Sequence, residues 1–171
     1  MNLMKLPVDP ESPTVVTAVV EVPYGSSNKY EYDHELGVFR LDRVLYSPMH
    51  YPGEYGFVPR TLARDGDPLD ILVMGREPMF PGVVVRVRPL AYLEMTDDNE
   101  EDQKVLAVPI GDPRFKDVTS LEDVARHRLR EIEHFFAIYK ELEGKVTEIG
   151  AWRGLEETHA LIRESLANYK D

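Results

Sequence analysis

An α+β fold is predicted for this chain of 171 residues by three observations. Short runs rich in β-branched residues fill positions 14–110. A helical period sets in only after about residue 119. Thirteen prolines and eleven glycines call for many turns between short elements. Strands first and helices last describe a small, largely antiparallel barrel or sheet with helices packed outside it. A chain of this size buries roughly 70% of its unfolded surface, enough for one core, so a single domain over residues 1–171 is expected.

The first thirteen residues hold three prolines and read as an extended arm. Residues 14–22 (TVVTAVVEV) form the first expected strand. Gly25, Ser26 and Ser27 turn the chain into Asn28–Asp33, where Lys29 and Glu31 share one face and Tyr30 and Tyr32 the other. Val38–Val44 is a third strand, with Arg43 near its end. Residues 46–59, rich in Pro, Gly and Tyr and without a period, read as a long ordered loop. Strands follow at 69–74, 83–95 and 104–110, with an acidic loop before the last. Pro78, Pro81 and Gly82 separate the first two of these, and Pro89 marks a bend or bulge. Leu121, Val124, Leu129, Ile132, Phe135, Tyr139 and Leu142 then recur mostly on one face and predict a helix over about 119–143. Thr119-x-x-Glu122 fits a capping box and Gly144 a C-terminal stop. Leu155, Ile162, Leu166 and Tyr169 mark a second, shorter amphipathic helix.

Composition removes several classes of function. With no cysteine, disulfide frameworks, thiolate zinc sites and thiol nucleophiles drop out. No apolar run approaches the roughly 20 residues of a membrane span, and the N-terminus lacks the apolar stretch of a signal peptide. A cytoplasmic location without membrane association is expected. The net charge of -11 argues against a broad nucleic-acid footprint. A small anionic ligand is still admissible if a local basic cluster or bound cations meet it.

Two acidic clusters are candidate sites. Asp65-Gly66-Asp67-Pro68-Leu69-Asp70 sets three aspartates at the mouth of a strand, and Gly66 and Pro68 make a turn that converges their side chains. The second is residues 94–104 (EMTDDNEEDQK), in which Glu100 and Glu101 read as a solvated loop. Carboxylates this close either face water or hold a cation. Hard oxygens without thiolate suggest Mg²⁺, Mn²⁺ or Ca²⁺. Neither cluster is an EF-hand: counted from Asp65, the glycine and final glutamate positions hold Asp70 and Arg76, and counted from Asp97 they hold Asp102 and Val108. His34-Glu35 opens no HExxH helix, and GxSxG, Walker A and GxGxxG motifs are absent.

Against the acids stands a sparse basic and phenolic set: Lys29, Arg43, Tyr55, Lys104, Tyr139 and Lys140. Lys29 with Glu31, and Asp102 with Lys104, lie two residues apart on a strand face. Acid and base alternating on a shared face suit metal-bound phosphate, where cations take some oxygens and Lys or Arg the rest. Taken singly, each of these residues reads rather as part of an ordinary cross-strand ion pair.

From about Val19 to Trp152 the arrangement resembles the soluble family I inorganic pyrophosphatases of bacteria. Residues 65–71 (DGDPLDI) carry the most specific likeness. Glu21-Val22-Pro23, Asn28-Lys29-Tyr30-Glu31, Leu41-Asp42-Arg43, Tyr51-Pro52-Gly53-Glu54-Tyr55-Gly56, Met95-Thr96-Asp97, Asp102-Gln103-Lys104 and Phe135-Phe136-Ala137-Ile138-Tyr139-Lys140 reinforce it in order. The resemblance implies a five-stranded OB-like antiparallel β-barrel flanked by C-terminal helices. It implies hydrolysis of pyrophosphate to two orthophosphates by metal-activated water, with several Mg²⁺ per site, Mn²⁺ as a substitute and Ca²⁺ as an inhibitor.

By the same resemblance Asp65, Asp70 and Asp102 hold a first metal, Asp70 also binds a second, and Asp97 and Asp102 bind metal arriving with substrate. Glu31 and Glu21 support them. Asp67 is the general base, and Tyr55 sits near the attacking water and the substrate. Lys29, Arg43, Lys104, Tyr139 and Lys140 grip the phosphates. A homohexamer of two stacked trimers is implied too, with His134 and Ile138 near an interface; Ile138 stands where a second histidine is expected. Two stretches depart from the family pattern: Gly144-Lys145 runs into Val146 rather than tryptophan, and residues 76–81 differ. Two alternative readings remain. One is a non-catalytic acidic barrel binding divalent cations, which would not need Asp67, Arg43 or Tyr139. The other is a metal-dependent phosphohydrolase of nucleotides or polyphosphate, for which no aromatic base sandwich stands out.

Overall fold

The computed structural model describes residues 2–170. The expected domain also includes Met1 and Asp171, which lie outside the described residues. The strands are β1 (Val16–Val22), β2 (Asn28–Asp33), β3 (Val38–Val44), β4 (Glu54–Phe57), β5 (Asp70–Val73), β6 (Val84–Asp97), β7 (Glu100–Pro109) and β8 (Thr147–Arg153). The helices are α1 (Arg126–Ile138) and α2 (Leu155–Asn168). Strands β1, β4, β5, β7 and β6 neighbour one another in that order, and β1 pairs again with β6. That closure makes a five-stranded ring with the helices outside it, the OB-like α+β barrel. Its joints are antiparallel except β5–β7, which is parallel. Strand β8 extends the sheet from β6, while β2 and β3 form a separate two-stranded sheet.

Local chemistry explains the closure. Residues 84–87 of β6 pair with β1 and residues 92–97 pair with β8, and the register of β6 on β7 shifts between Pro89 and Ala91. The proline cannot donate to a ladder, so the strand bends at the position its sequence announces. On β4, a Cβ at Gly56 would stand 1.9 Å from the Val19 carbonyl oxygen, so only glycine lets β1 and β4 approach. The register of β1 on β4 shifts between Val20 and Val22, which leaves Glu21 as the extra residue.

Several elements differ from expectation. The stretch 46–59 contains β4, whose four residues are all buried and so show no alternation. The acidic loop is largely strand: β6 and β7 meet at a two-residue turn, Asp98 and Asn99, with φ of 49° and 68°. Strand β8 was not expected. The single helix over 119–143 is three pieces, a 3-10 turn Leu121–Asp123, then α1, then a 3-10 turn Glu141–Glu143. Its capping pair is Ser120 and Asp123 rather than Thr119 and Glu122, with Asp123 Oδ2 accepting the Ser120 N–H at 3.0 Å. Gly144 does end the last turn, at φ 75°. The expected arm carries a 3-10 turn at Leu3–Lys5.

Each helix buries one stripe. Ile132, Phe135 and Phe136 of α1 pack with Tyr51, Tyr55, Leu72 and Leu106. Leu161 and Ile162 of α2 pack with Ile71, Val73, Val105 and Ala107. Ring centroids lie 4.8 Å apart for Tyr51–Phe135 and 5.1 Å for Phe135–Phe136. A phenylalanine buried in this way contributes about 3–5 kcal/mol relative to alanine. This packing fixes the C-terminal end of α1, and with it Tyr139 and Lys140.

Candidate active site

A cleft of about 760 Å³ runs between the β2–β3 hairpin, residues 61–70, the β6–β7 turn and the C-terminal end of α1. Every residue singled out above as catalytic, substrate-binding or metal-binding lines it: Glu21, Lys29, Glu31, Arg43, Tyr55, Asp65, Asp67, Asp70, Asp97, Asp102, Lys104, Tyr139 and Lys140.

The aspartate turn is built by backbone bonds. Ala63 N–H donates to the Asp67 carbonyl at 2.8 Å and Gly66 N–H to the Ala63 carbonyl at 3.1 Å. Gly66 sits at φ 90°, a conformation that favours glycine. Asp65 Oδ1 accepts the Asp67 N–H at 3.0 Å, so the first carboxylate braces the second residue. Asp70 opens β5 and lies in register with Lys104 of β7. Asp102, two residues before Lys104, shares its face. The buried Lys104 Nζ therefore lies 2.5 Å from Asp70 Oδ2 and 2.6 Å from Asp102 Oδ1. It also donates to the Tyr55 hydroxyl at 2.9 Å, and that hydroxyl donates to Asp70 Oδ2 at 2.7 Å.

The opposite wall is cationic. Lys29 and Arg43 are cross-strand partners on β2 and β3, beside a register shift. Lys29 pairs with Glu31 and reaches Asp42 Oδ2 at 3.2 Å. Arg43 lies 3.7 Å from Asp42 and 3.3 Å from Glu143. Glu21, on its bulge, accepts the Tyr32 N–H at 2.8 Å. Past the end of α1, Lys140 pairs with Asp97 and the buried Tyr139 packs on Phe135 and Phe136.

The cluster is short of positive charge. Ten carboxylates line this cleft against seven lysines and arginines. Burial, then the charges of Asp70, Asp102 and Asp67, pushes Asp65 up to about 6 against the Asp67 N–H bond. Burial pushes Glu21 up to about 8, with the Asp70 charge adding to it. Desolvation, then Asp70 and Glu31, raises Asp67, and burial raises Asp102 despite Lys104. Burial works to lower Lys104, yet Asp70 and Asp102 hold it well above its usual value.

A divalent cation fits this donor set. The oxygens are hard, Asp70 and Asp102 share the one ammonium of Lys104, and the mutual repulsion of the carboxylates asks for more positive charge. Among the described residues no three carboxylate or imidazole groups form a ready cage. The ammonium groups of Lys104 and Lys140 pair with Asp70, Asp102 and Asp97 instead and offset part of their charge.

Three further residues belong to this neighbourhood. Asp42 and Tyr51 lie inside stretches that carry the family resemblance, and their positions alone assigned them nothing. Tyr51 is 1% exposed, lines the cleft and leaves its hydroxyl without a hydrogen-bond partner. Glu143 holds Arg43 from the turn after α1, and no sequence pattern marks it.

Comparison with known proteins bears on this geometry. The inorganic pyrophosphatase family profile matches residues 18–170. An inorganic pyrophosphatase of Halalkalibacterium halodurans is 58% identical over 158 residues, covering 92% of this chain and 97% of that one. One from a Nostoc species is 52% identical over 170 residues, covering 99% and 100%. The crystal structure of inorganic pyrophosphatase from Thermus thermophilus superimposes with a TM-score of 0.97 at 46% identity, covering both chains completely. With a matched profile over most of its length and relatives this similar, the chain belongs to the inorganic pyrophosphatase family.

Proposed function

We propose that this protein hydrolyses inorganic pyrophosphate to two orthophosphates, as one domain over residues 1–171. The observation that carries the reading is the single cleft in which the aspartates of the barrel face Lys29, Arg43, Lys104 and Lys140 in a chain of this family. Family I pyrophosphatases are metal-dependent, and the donor set suits Mg²⁺, which accepts a few carboxylates and keeps its waters. Asp65, Asp70 and Asp102 would hold a first ion, with Asp70 shared by a second. Asp97 and Asp102 would take metal that arrives with the substrate, supported by Glu31 and Glu21. When bound, such ions supply a local positive field and an acidified water.

The protein's own groups do the rest. Lys29 and Arg43 on the hairpin, with Lys104, Lys140 and Tyr139 opposite, bind the phosphate oxygens and offset charge building on the leaving group. Asp67, at the exposed rim of the cleft and raised above an ordinary carboxylate, takes the proton of the attacking water. Tyr55 holds Asp70 Oδ2 and Lys104 beside that water's path.

No helix among the described residues is long and apolar enough to cross a membrane. We place the protein in the cytoplasm, acting on a small polyanion rather than on nucleic acid. We also read it as a homohexamer of two trimers. His134 is exposed and Ile138 half-buried on α1, one turn apart, which suits a contact with another copy that is more apolar than a histidine pair.

Phosphate release from pyrophosphate by purified protein tests the activity. Release is expected with Mg²⁺, none after chelation, and little with Ca²⁺, whose larger, irregular coordination misplaces the water. Absence of release by the Mg²⁺-loaded protein overturns the proposal.

A further inference from the structure

Lys29 and Arg43 reach the cleft on a sheet that shares no ladder with the barrel among the described residues. The hairpin is held by packing of Tyr32 and Phe39 near Phe57, by the Tyr32 N–H bond to Glu21 and the Arg43–Glu143 pair, and by the chain segment that leads out of β1. Three hydrogen bonds pin that segment. Gly25 N–H donates to the Tyr51 carbonyl and Tyr51 N–H to the Ser26 carbonyl, each at 2.9 Å. Tyr24 N–H donates to Glu54 Oε2, also at 2.9 Å.

Glu54 is an unusual anchor. It is 0% exposed, and no ion pair with it is formed among the described residues. A carboxylate buried without a cation costs stability, and burial raises its pKa against the two backbone bonds it accepts. The second bond, from Met79 N–H to Oε1 at 3.1 Å, reaches residues 76–81, one of the stretches that depart from the family pattern. Both oxygens thus join the β1–β2 connection to the β5–β6 loop. Glu54 alternates with Tyr55 along β4 and does not line the cleft. Its reach to Lys29 and Arg43 runs through the hairpin, and the double variant below separates that route from one through its β4 neighbour Tyr55, which lines the cleft.

We propose that Glu54 is a positioning residue, fixing the β1–β2 connection and thereby setting Lys29 and Arg43 against the aspartates of the barrel. This rests on reading Lys29 and Arg43 as phosphate ligands. A displacement near 1 Å in such ligands costs heavily in rate, so a lost anchor is expressed in kcat/KM as well as in binding of a substrate analogue.

The test compares Glu54→Gln, Lys29→Ala and the double variant at saturating Mg²⁺. KM and kcat are measured with pyrophosphate, and affinity by calorimetry with the non-hydrolysable methylenediphosphonate. Glu54→Gln should lower kcat/KM and weaken analogue binding, each by about fivefold or more. Adding it to Lys29→Ala should cost less than about twofold more, because both act through one contact. Lys29→Ala with unchanged analogue binding removes the phosphate-ligand reading and the proposal with it. Lys29→Ala that weakens binding while Glu54→Gln does not, or effects that multiply in the double variant, overturn the positioning role alone. Glu54→Asp keeps the charge but loses the reach, and carries the same prediction where the glutamine variant does not fold.

Discussion

Lys104 Nζ stands 2.5 Å from Asp70 Oδ2 because the two residues face each other across the parallel joint of the barrel. The same ammonium lies 2.6 Å from Asp102 Oδ1, so one buried lysine is shared between two carboxylates expected to hold metal. Lys104→Met should destabilise the metal-free protein by about 3 kcal/mol, the low end for a broken buried pair because Asp70 keeps contact with water. Millimolar Mg²⁺ should restore part of that loss, since the orphaned carboxylates then have a cation. Thermal melts with and without Mg²⁺ measure both. An equal loss under the two conditions would show that the carboxylates do not share the metal.

Asp67 lies in the aspartate turn beside the expected metal ligands and outside the Lys104 network. Asp67→Asn should cut turnover by at least about 10²-fold, the scale for a lost general base. Mg²⁺ binding by calorimetry should change less than in Asp70→Asn. Near-normal turnover would take Asp67 out of the catalytic role.

Far from the cleft, Asp9 accepts two bonds from Arg86, at 2.6 and 3.1 Å, and the guanidinium holds its carboxyl below the ordinary value of 3.8. The fold therefore favours the ionised form. This contribution is complete above the unfolded pKa and disappears as pH falls through the lower folded value. Asp9→Asn should cost about 1 kcal/mol at pH 7, modest because Arg86 is half in solvent. The two proteins should converge in stability once the pH has fallen through that lowered value. Denaturant titrations across that range decide it, and a gap that widens on acidification contradicts the sign.

Assembly through α1 has its own readout. Light scattering should give a mass near that of six chains, and Ile138→Asp should split it into smaller species by burying an unpaired charge. A monomer at micromolar concentration would refute the hexamer and leave the activity untouched, since every residue named for the chemistry lies in one chain.

The sequence revealed most of what carries strong local signals. Asn28–Asp33 and Val38–Val44 match β2 and β3 residue for residue, because one face of the hairpin stays polar and the alternation survives. Strand β4 was hidden because all four of its residues are buried. The acidic segment looked like a solvated loop because charge outweighs pattern in a single sequence. Yet Asp98-Asn99 is a turn suited to positive φ, and with it Asp97 and Asp102 become neighbours across a hairpin. Four of the seven residues of β8 are exposed and one of them is Gly150, so little apolar pattern marks it. At the site, the motifs located residues that act through their own side chains. Glu143 and Glu54 stayed invisible because their importance lies in contacts to Arg43 and to Tyr24 and Met79, made only in three dimensions.

The parallel joint also orders events during folding. The chain between β5 and β7 runs through the whole of β6, so Asp70 and Lys104 come together only across a long excursion of chain. Such non-local pairings are slow to form compared with hairpins like β2–β3 or β6–β7. A nascent or partly folded chain can thus possess every hairpin and still lack the charged centre. Catalytic competence would arrive late, with the sealing of the barrel, and its recovery on refolding would report that sealing rather than the gain of secondary structure.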